Sequence, residues 1–296
     1  MRIGITGASG FVGGHVIQAA LAGGHTVTAF SRSGKVVPGA TETRRYHPVA
    51  EADFRELDAI IHLAGESVLG LWTRRKKAAV RDSRVLDTCK MVDRLRALEE
   101  RPRVLVSAGG ISYYGDGGGE PLSETSASGE GVLAEVCRAW EAAVEDAAGI
   151  MRTVSLRIGV TLGQEGGSYP LLRRIFRLGL GGRLGSGRQF MPWIHIDDLA
   201  RLFIHAVESP GLSGAVNAVG PEPLTNAEFT KTLASVLHRP ALFPVPAFVL
   251  SRLPGGMGEI FLQSQRLRPD KAINSGFRFL HGTLRHALED LDNSSK

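Results

Sequence analysis

The residues with the most chemical content stand at the start of the chain, Thr6-Gly7-Ala8-Ser9-Gly10-Phe11-Val12-Gly13. Glycines 7, 10 and 13 follow a short apolar run and open a stretch of helical apolar spacing. In a strand–turn–helix of this kind, Gly7 permits the tight turn and Gly10 lets the backbone approach a pyrophosphate. Gly13 lets helix and strand pack closely. Ser9, Phe11 and Val12 share the turn, where the first helical N–H groups and the positive helix end favour phosphate oxygens. A glycine-rich turn without a ligand is the alternative. The second half of a dinucleotide site lies at the end of the next strand, where the ribose 2′ position is read. Here the chain has Ser31-Arg32, followed by Ser33 and Lys35. No carboxylate stands there to repel a 2′-phosphate, and a guanidinium can clamp one with paired hydrogen bonds. The expected cofactor is therefore NADP, with NADPH preferred over NADH. The alternative leaves Arg32 as a solvated loop residue.

Other residues offer proton or anion chemistry. Tyr113 and Tyr114 follow a strand at the mouth where substrates bind in such folds, and either phenol could donate a proton. The alternative has one ring packing under the loop and the other bonding backbone. His195 and Asp197 form His-x-Asp after Trp193; on extended chain they point the same way, giving an oriented imidazole. The structural reading has Asp197 or Asp198 capping the helix that follows. Glu66, after the Ala64-Gly65 turn, faces the cofactor or else opens a helix. The loop Gly179–Gly187, with Arg183, Arg188 and Gln189 and with Trp193 beyond it, is the candidate substrate lid: glycines as hinges, arginines for an anion. Arg74-Arg75-Lys76-Lys77 lacks interleaved aromatics and reads as a solvated helix face. No His/Cys cluster has metal-ligand spacing, so no metal is expected.

Stepping from sites to frame, the chain has 296 residues, 43% hydrophobic and 22% charged. That balance excludes wholesale disorder, and no apolar run is long enough for a membrane-spanning helix. Two cysteines, Cys89 and Cys137, cannot build a disulfide framework. Glycines between 7 and 14 interrupt the apolar core that a secretory leader needs, so the expected location is cytoplasmic. The net charge of +5 permits nucleic acid but suits an anionic cofactor equally. The partner expected is a small molecule, with no nucleic acid and no membrane, the chain being a monomer or homodimer.

Apolar periodicity predicts strands at 2–6, 26–30, 58–63, 103–107 and 152–157. Helices are expected at 11–22, at 73–99 with an apolar face of Val85, Cys89, Val92 and Leu95, and at 130–147. This alternation gives an α/β fold with a doubly wound parallel sheet flanked by helices. Past residue 160 the rhythm loosens into helices near 197–207 and 226–237 and segments containing Pro244, Pro246, Pro254 and Pro269. Residues 1–160 read as the NADP-binding part, with returns from about 190–220. Residues 161–296 read as a discontinuous, smaller, partly helical substrate lobe.

These motifs resemble the short-chain dehydrogenase/reductase superfamily in its extended, epimerase-like branch, and more narrowly its atypical "epimerase family" proteins. The match is carried by TGASGFVG at 6–13, FSR at 30–32, HLAGE at 62–66, SYYGD at 112–116 and WE at 140–141. It continues through RIGVTLG at 157–163, LGLGGRLGSGRQFMPWIHIDDLA at 178–200 and SQRLRP at 264–269. The resemblance implies a Rossmann-type domain in which Leu63, Ala64 and Gly65 line the adenosine and ribose side of the cofactor. It puts Arg84 on the same cleft, Ser107 beneath the nicotinamide, and Val160 and Thr161 after the following strand. It makes His195 and Asp197 a packing signature between the lobes.

The superfamily's proton chemistry is missing. A tyrosine with a lysine four residues later belongs on the 130–147 helix, yet the positions anchored on Glu141 are Leu133 and Cys137. Gly109 stands where the serine hydroxyl is expected. The atypical family is known for lacking the set. Two readings follow: an NADP-dependent oxidoreductase or epimerase-like enzyme on a small polar substrate, with Tyr114 ahead of Tyr113 as proton donor, or a non-catalytic NADP(H)-binding sensor or scaffold.

Overall fold

A computed structural model describes residues 1–68, 70–252 and 257–293; Pro254 lies outside them. The strands in chain order are β1 (Arg2–Thr6), β2 (Thr26–Ser31), β3 (Glu42–Arg45), β4 (Ala59–His62), β5 (Val104–Gly110), β6 (Pro121–Leu122), β7 (Arg152–Ile158), β8 (Val160–Leu162), β9 (Trp193–His195), β10 (Gly214–Ala218) and β11 (Arg266–Leu267). The longer helices are α1 (Phe11–Ala22), α2 (Arg74–Arg96), α3 (Val132–Glu145), α4 (Tyr169–Arg177), α5 (Ile196–Glu208) and α6 (Asn226–Val236). Then come the short α7 (Ala247–Ser251), α8 (Met257–Ile260) and α9 (Asp270–Asn274), and the terminal α10 (Leu284–Asn293).

Seven strands form one sheet in the order β10-β7-β5-β4-β1-β2-β3, with every neighbouring pair parallel. This is the doubly wound α/β architecture read from the sequence. The inner strands are largely apolar because both faces are covered. Ile61, Val104, Val106 and Leu156 face α1 and α5, in a core with Val16, Ile17, Leu199 and Phe203. The alternate residues Ile60 and Leu105 face α2 and α3, meeting Met91, Val92, Leu95, Trp140 and Val144. A third apolar cluster joins α4, α6 and α10 through Phe176, Phe229, Leu233 and Leu288. Among the described residues no helix is long and apolar enough to cross a membrane.

Three local expectations change. The sheet has an outer strand, β3, that the apolar pattern did not signal: its Glu-Thr-Arg-Arg has no buried residue, as suits an edge strand that water still reaches. On α2, Thr73 accepts a hydrogen bond from the Lys76 N–H as N-cap, and Val85 and Cys89 are only partly buried. Val92 and Leu95 of the expected face are buried, and Val80 and Met91 join them in place of Val85 and Cys89. The 103–107 strand runs on to Gly110, paired with β7 to the end.

Candidate functional site

The sheet order reverses at β1 and β4, and in open α/β sheets ligands bind beyond the strand ends at such a point. The Thr6 hydroxyl ties the two strand ends together. It accepts from the N–H groups of Leu63 and Ala64, both at 3.2 Å, and bonds His62 Nδ1 at 2.7 Å. Gly7 takes a φ of +68°, and a Cβ there would sit 2.8 Å from the Leu63–Ala64 backbone. A Cβ on Gly13 would fall 2.5 Å from the Gly7 carbonyl. The glycine turn and the 63–64 loop are thus as close as bare backbone permits. No side chain caps the start of α1, so its first N–H groups face outward without an intrahelical partner.

The resulting cleft has a volume of about 840 Å³ and is lined by Gly7, Ser9, Gly10, Ser31, Arg32 and the loop Leu63–Ser67. Phe30, Tyr46, His47, Ala79, Ser83 and Asp87 complete it. Backbone N–H groups at one end and an exposed guanidinium at the other fit a dinucleotide carrying an additional phosphate.

A polar chain runs from this cleft into α2. His62 Nε2 lies 3.0 Å from Thr88 Oγ1, and the Thr88 hydroxyl donates to the Arg84 carbonyl. Burial, with Arg84 adding to it, pushes the His62 imidazole down to about 4. The 63–68 loop is fastened to α2 from the other side. Glu66 N–H donates to Ser83 Oγ at 2.8 Å, Arg84 Nη1 donates to the Glu66 carbonyl at 2.8 Å, and Lys76 Nζ pairs with the Glu66 carboxylate at 2.6 Å. That lysine hydrogen bond holds the Glu66 carboxyl below its ordinary range.

A second cavity, of about 370 Å³, opens on the next face of α2. Its wall includes Val68, Val80 and Arg84, then Gly109 and Gly110 of β5, Leu133, Val136, Cys137 and Trp140 of α3, and Ile158 with Val160. Ser67 and Val68, Ala79 and Val80, Ser83 and Arg84 are neighbours in sequence that face the first and second cavity respectively. The two spaces therefore flank the same stretch of α2 and of the 63–68 loop. Arg84 stands on this stretch, its guanidinium 5.1 Å from the Trp140 ring centroid. Burial pushes the Cys137 thiol up to about 12.

Residues 3–219 match the NAD dependent epimerase/dehydratase family, and residues 245–291 match a domain of unknown function, DUF1731. The chain belongs to the epimerase family. Epimerase family protein YfhF of Bacillus subtilis is 36% identical over 98% of this chain and 98% of its own. Epimerase family protein SDR39U1 of Homo sapiens is 34% identical over 98% and 99%. A crystal structure of the human protein with NADPH superposes with a TM-score of 0.91 at 33% identity, covering 99% of both chains. A UDP-glucose 4-epimerase from Thermus thermophilus, solved with NAD, shares the fold at 19% identity and a TM-score of 0.79.

Within this family member, Gly7, Ser9, Gly10, Ser31, Arg32, Leu63, Ala64, Gly65 and Glu66 line the first cleft. Phe11 and Val12 are not on its wall: both pack against the core, and the Phe11 ring fills the space that a Cβ on Gly163 or Gly166 would need. Arg84, expected on the adenosine side, lines the second cavity, with its guanidinium packed 3.3 Å from where a Cβ on Gly65 of the first cleft would stand. Val160 lines it too, whereas Thr161 bonds the Gly159 carbonyl. Ser107 is fully buried and donates to the Ala108 carbonyl. Tyr46, Ser83 and Asp87 went unread, because only the packing of α2 and of the 46–47 turn brings them to the cleft.

Several expectations are corrected. Tyr114 is 3% exposed, and its hydroxyl accepts from Arg157 Nη1 and donates to Asn217 Oδ1, both at 2.7 Å. Burial pushes the phenol up to about 12. Tyr113 lies against the same guanidinium, 3.5 Å from ring centroid to Cζ. Neither ring lines the second cavity among the described residues, so a proton-donor role loses its geometric basis. Trp193 is 1% exposed in the core beside Gly220, away from any substrate space.

The 179–187 loop is no free lid. Gly185 N–H donates to Val245, Val245 N–H to Arg183, and Phe243 N–H to Gly181, at 2.8–3.1 Å. A Cβ on Gly182 would collide with the Phe243 carbonyl. Its glycines serve close approach instead of hinging, and Arg183 and Arg188 are exposed. Gln189 does reach the second cavity, but its amide donates to the Leu184 and Phe261 carbonyls.

His195, not an aspartate, caps α5: its Nδ1 accepts from the Asp197 N–H at 3.2 Å. Asp198 is buried and accepts from the Leu280 and His281 N–H groups at 2.8 Å, fixing the C-terminal segment to α5. The His195 ring stacks on His281 at 3.7 Å, and burial pushes it down to about 4.

Proposed function

We propose that the protein is an NADPH-dependent oxidoreductase in which residues 1–160 hold the dinucleotide and the later chain helps enclose a carbonyl substrate. The carrying observation is that the two cavities flank α2 at the adjacent residues Ser83 and Arg84. Ser9, the Gly7–Gly10 backbone and the start of α1 would hold the pyrophosphate, and Arg32 the 2′-phosphate. When bound, NADPH supplies the hydride that reduces a carbonyl carbon, and is itself oxidised.

The chain's own contribution is electrostatic. Arg84 aims a fixed positive charge into a wall of apolar side chains, where it stabilises charge developing on the substrate oxygen. An arginine keeps its proton, so the oxygen takes its proton from water. Leu133, Cys137 and Gly109 occupy the places of the superfamily's tyrosine, lysine and serine, and they contribute shape alone. The second reading, a non-catalytic NADP(H) sensor or scaffold, is favoured by the same three residues.

The test is label transfer. Protein is incubated with NADPH deuterated at the transferable position and a metabolite extract, and mass spectrometry follows the label. Protein-dependent label in a metabolite supports the oxidoreductase. NADPH bound with no label moved overturns it in favour of the sensor.

A further inference from the structure

The second cavity has an unexpected composition for a chain whose sequence pointed to a small polar substrate. Its α3 wall is Leu133, Val136 and Trp140, and Val80, Ile158 and Met191 stand around them. Among the described residues of this wall, Arg84 alone bears a charge. Part of that charge is already engaged, since Nη1 donates to the carbonyls of Glu66 and Val80.

Of the uncharged polar side chains on the wall, Ser112, Ser168, Gln189, Gln263 and Gln265, two already spend their amide donors on backbone. Gln189 gives its amide N–H groups to two backbone carbonyls, and Gln265 Nε2 donates to the Gly115 carbonyl at 2.7 Å. A nucleoside diphosphate would bring two phosphate charges and many hydroxyls into this space. It would meet one cation, already shared with two backbone carbonyls, and desolvating two phosphate charges against a single such partner is costly.

The mouth has the same character. A recess that shares Ser112, Leu133, Ile260 and Gln263 with the cavity is also lined by Trp72, Val132 and Ala134, with Lys77 and Glu130 of opposite charge. Phe261 lines the cavity while remaining 46% exposed. Apolar surface left open to water at an entrance marks a place that an apolar ligand covers.

We propose that the substrate is an apolar carbonyl compound whose oxygen meets Arg84 and whose hydrocarbon body lies along Leu133, Val136 and Trp140, and that nucleoside-diphosphate sugars are not accepted. This rests on the oxidoreductase reading for the role of the carbonyl; the apolar binding itself does not.

The test uses the full chain saturated with NADP+, so that no reduction occurs. Binding of 2-butanone, 2-hexanone, 2-octanone and UDP-glucose is measured by saturation-transfer NMR and calorimetry. The expected result is affinity that rises with chain length, on the order of 100-fold from 2-butanone to 2-octanone, with UDP-glucose weaker than 2-octanone. Leu133→Glu, at a half-exposed position, is expected to weaken 2-octanone at least tenfold while NADP+ affinity stays within twofold. Should that variant fail to bind NADP+, the chain-length series in the unaltered protein decides alone. Affinity independent of chain length, or UDP-glucose binding tighter than 2-octanone, overturns the proposal. Replacing NADP+ with NADPH separates the two readings. Ketones that bind by length without oxidising NADPH support the apolar cavity and overturn reduction. NADPH oxidised at rates indifferent to chain length does the reverse.

Discussion

Arg157 grips Glu141 with two parallel hydrogen bonds of 2.8 Å, Nε to Oε1 and Nη2 to Oε2. The side chains are 4% and 16% exposed. The same guanidinium donates to the Tyr114 hydroxyl, which passes the connection to Asn217 of β10, and Asn217 Nδ2 donates to the Arg268 carbonyl. One buried arginine thus fastens α3, the 113–124 loop, β10 and the C-terminal segment to β7. This pair shapes the cavity by fixing α3, whose same face supplies Cys137 and Leu133 one and two turns before Glu141.

Removing one partner of a buried pair leaves the other charge without compensation, which costs about 3–5 kcal/mol. Glu141→Gln is expected to lose that much in urea unfolding. Tyr114→Phe should lose about 1–3 kcal/mol, the price of one unsatisfied buried group. A Glu141→Gln midpoint equal to that of the unaltered protein would show the pair to be idle.

The glycine turn makes a sharp contrast between neighbours. Gly7→Ala forces a Cβ against the 63–64 backbone at positive φ and is expected to abolish NADPH binding. Gly14→Ala meets nothing within 4 Å and should stabilise α1 by about 1 kcal/mol with binding unchanged. Calorimetric titration with NADPH, alongside thermal unfolding, checks both.

Arg32 is expected to carry the preference for the phosphorylated cofactor. Arg32→Ala should weaken NADPH by roughly 10- to 100-fold, matching one charge-assisted contact, and leave NADH within twofold. Equal losses for the two cofactors would place Arg32 outside the 2′-phosphate site.

His62 links stability to pH. Its imidazole is held near 4 when folded, against about 6.5 in an unfolded chain. Between those values the unfolded chain takes up a proton that the fold refuses. The stabilisation is present above pH 6.5 and is lost as the pH falls towards 4, by on the order of 3 kcal/mol. His62→Asn should flatten that part of a stability–pH curve; an unchanged slope would assign the effect elsewhere.

The β1–α1–β2 unit and the glycine turn were legible because their signals are local: apolar period, Gly7 at a turn, Arg32 at a strand end. β3 was hidden because an edge strand of Glu-Thr-Arg-Arg has no apolar period to show. Tyr114 misled because its fate is decided by Arg157 and Asn217, which lie 43 and 103 residues away. The 179–187 loop read as a hinge until its pairing with 243–245 appeared. Leu133 and Cys137 read as lost catalytic residues, and only the assembled wall gives them a positive meaning.

In the proposed function Arg84, not a tyrosine, assists hydride transfer between the two cavities. The most direct test of that role is deuteride transfer from labelled NADPH compared across the unaltered protein, Arg84→Met and Tyr114→Phe, each with measured NADPH affinity. Label transfer is expected in the unaltered protein, with a loss of about 100-fold or more in Arg84→Met with NADPH still bound, and a change within twofold in Tyr114→Phe. Transfer that survives Arg84→Met and disappears in a folded, NADPH-binding Tyr114→Phe would contradict that role.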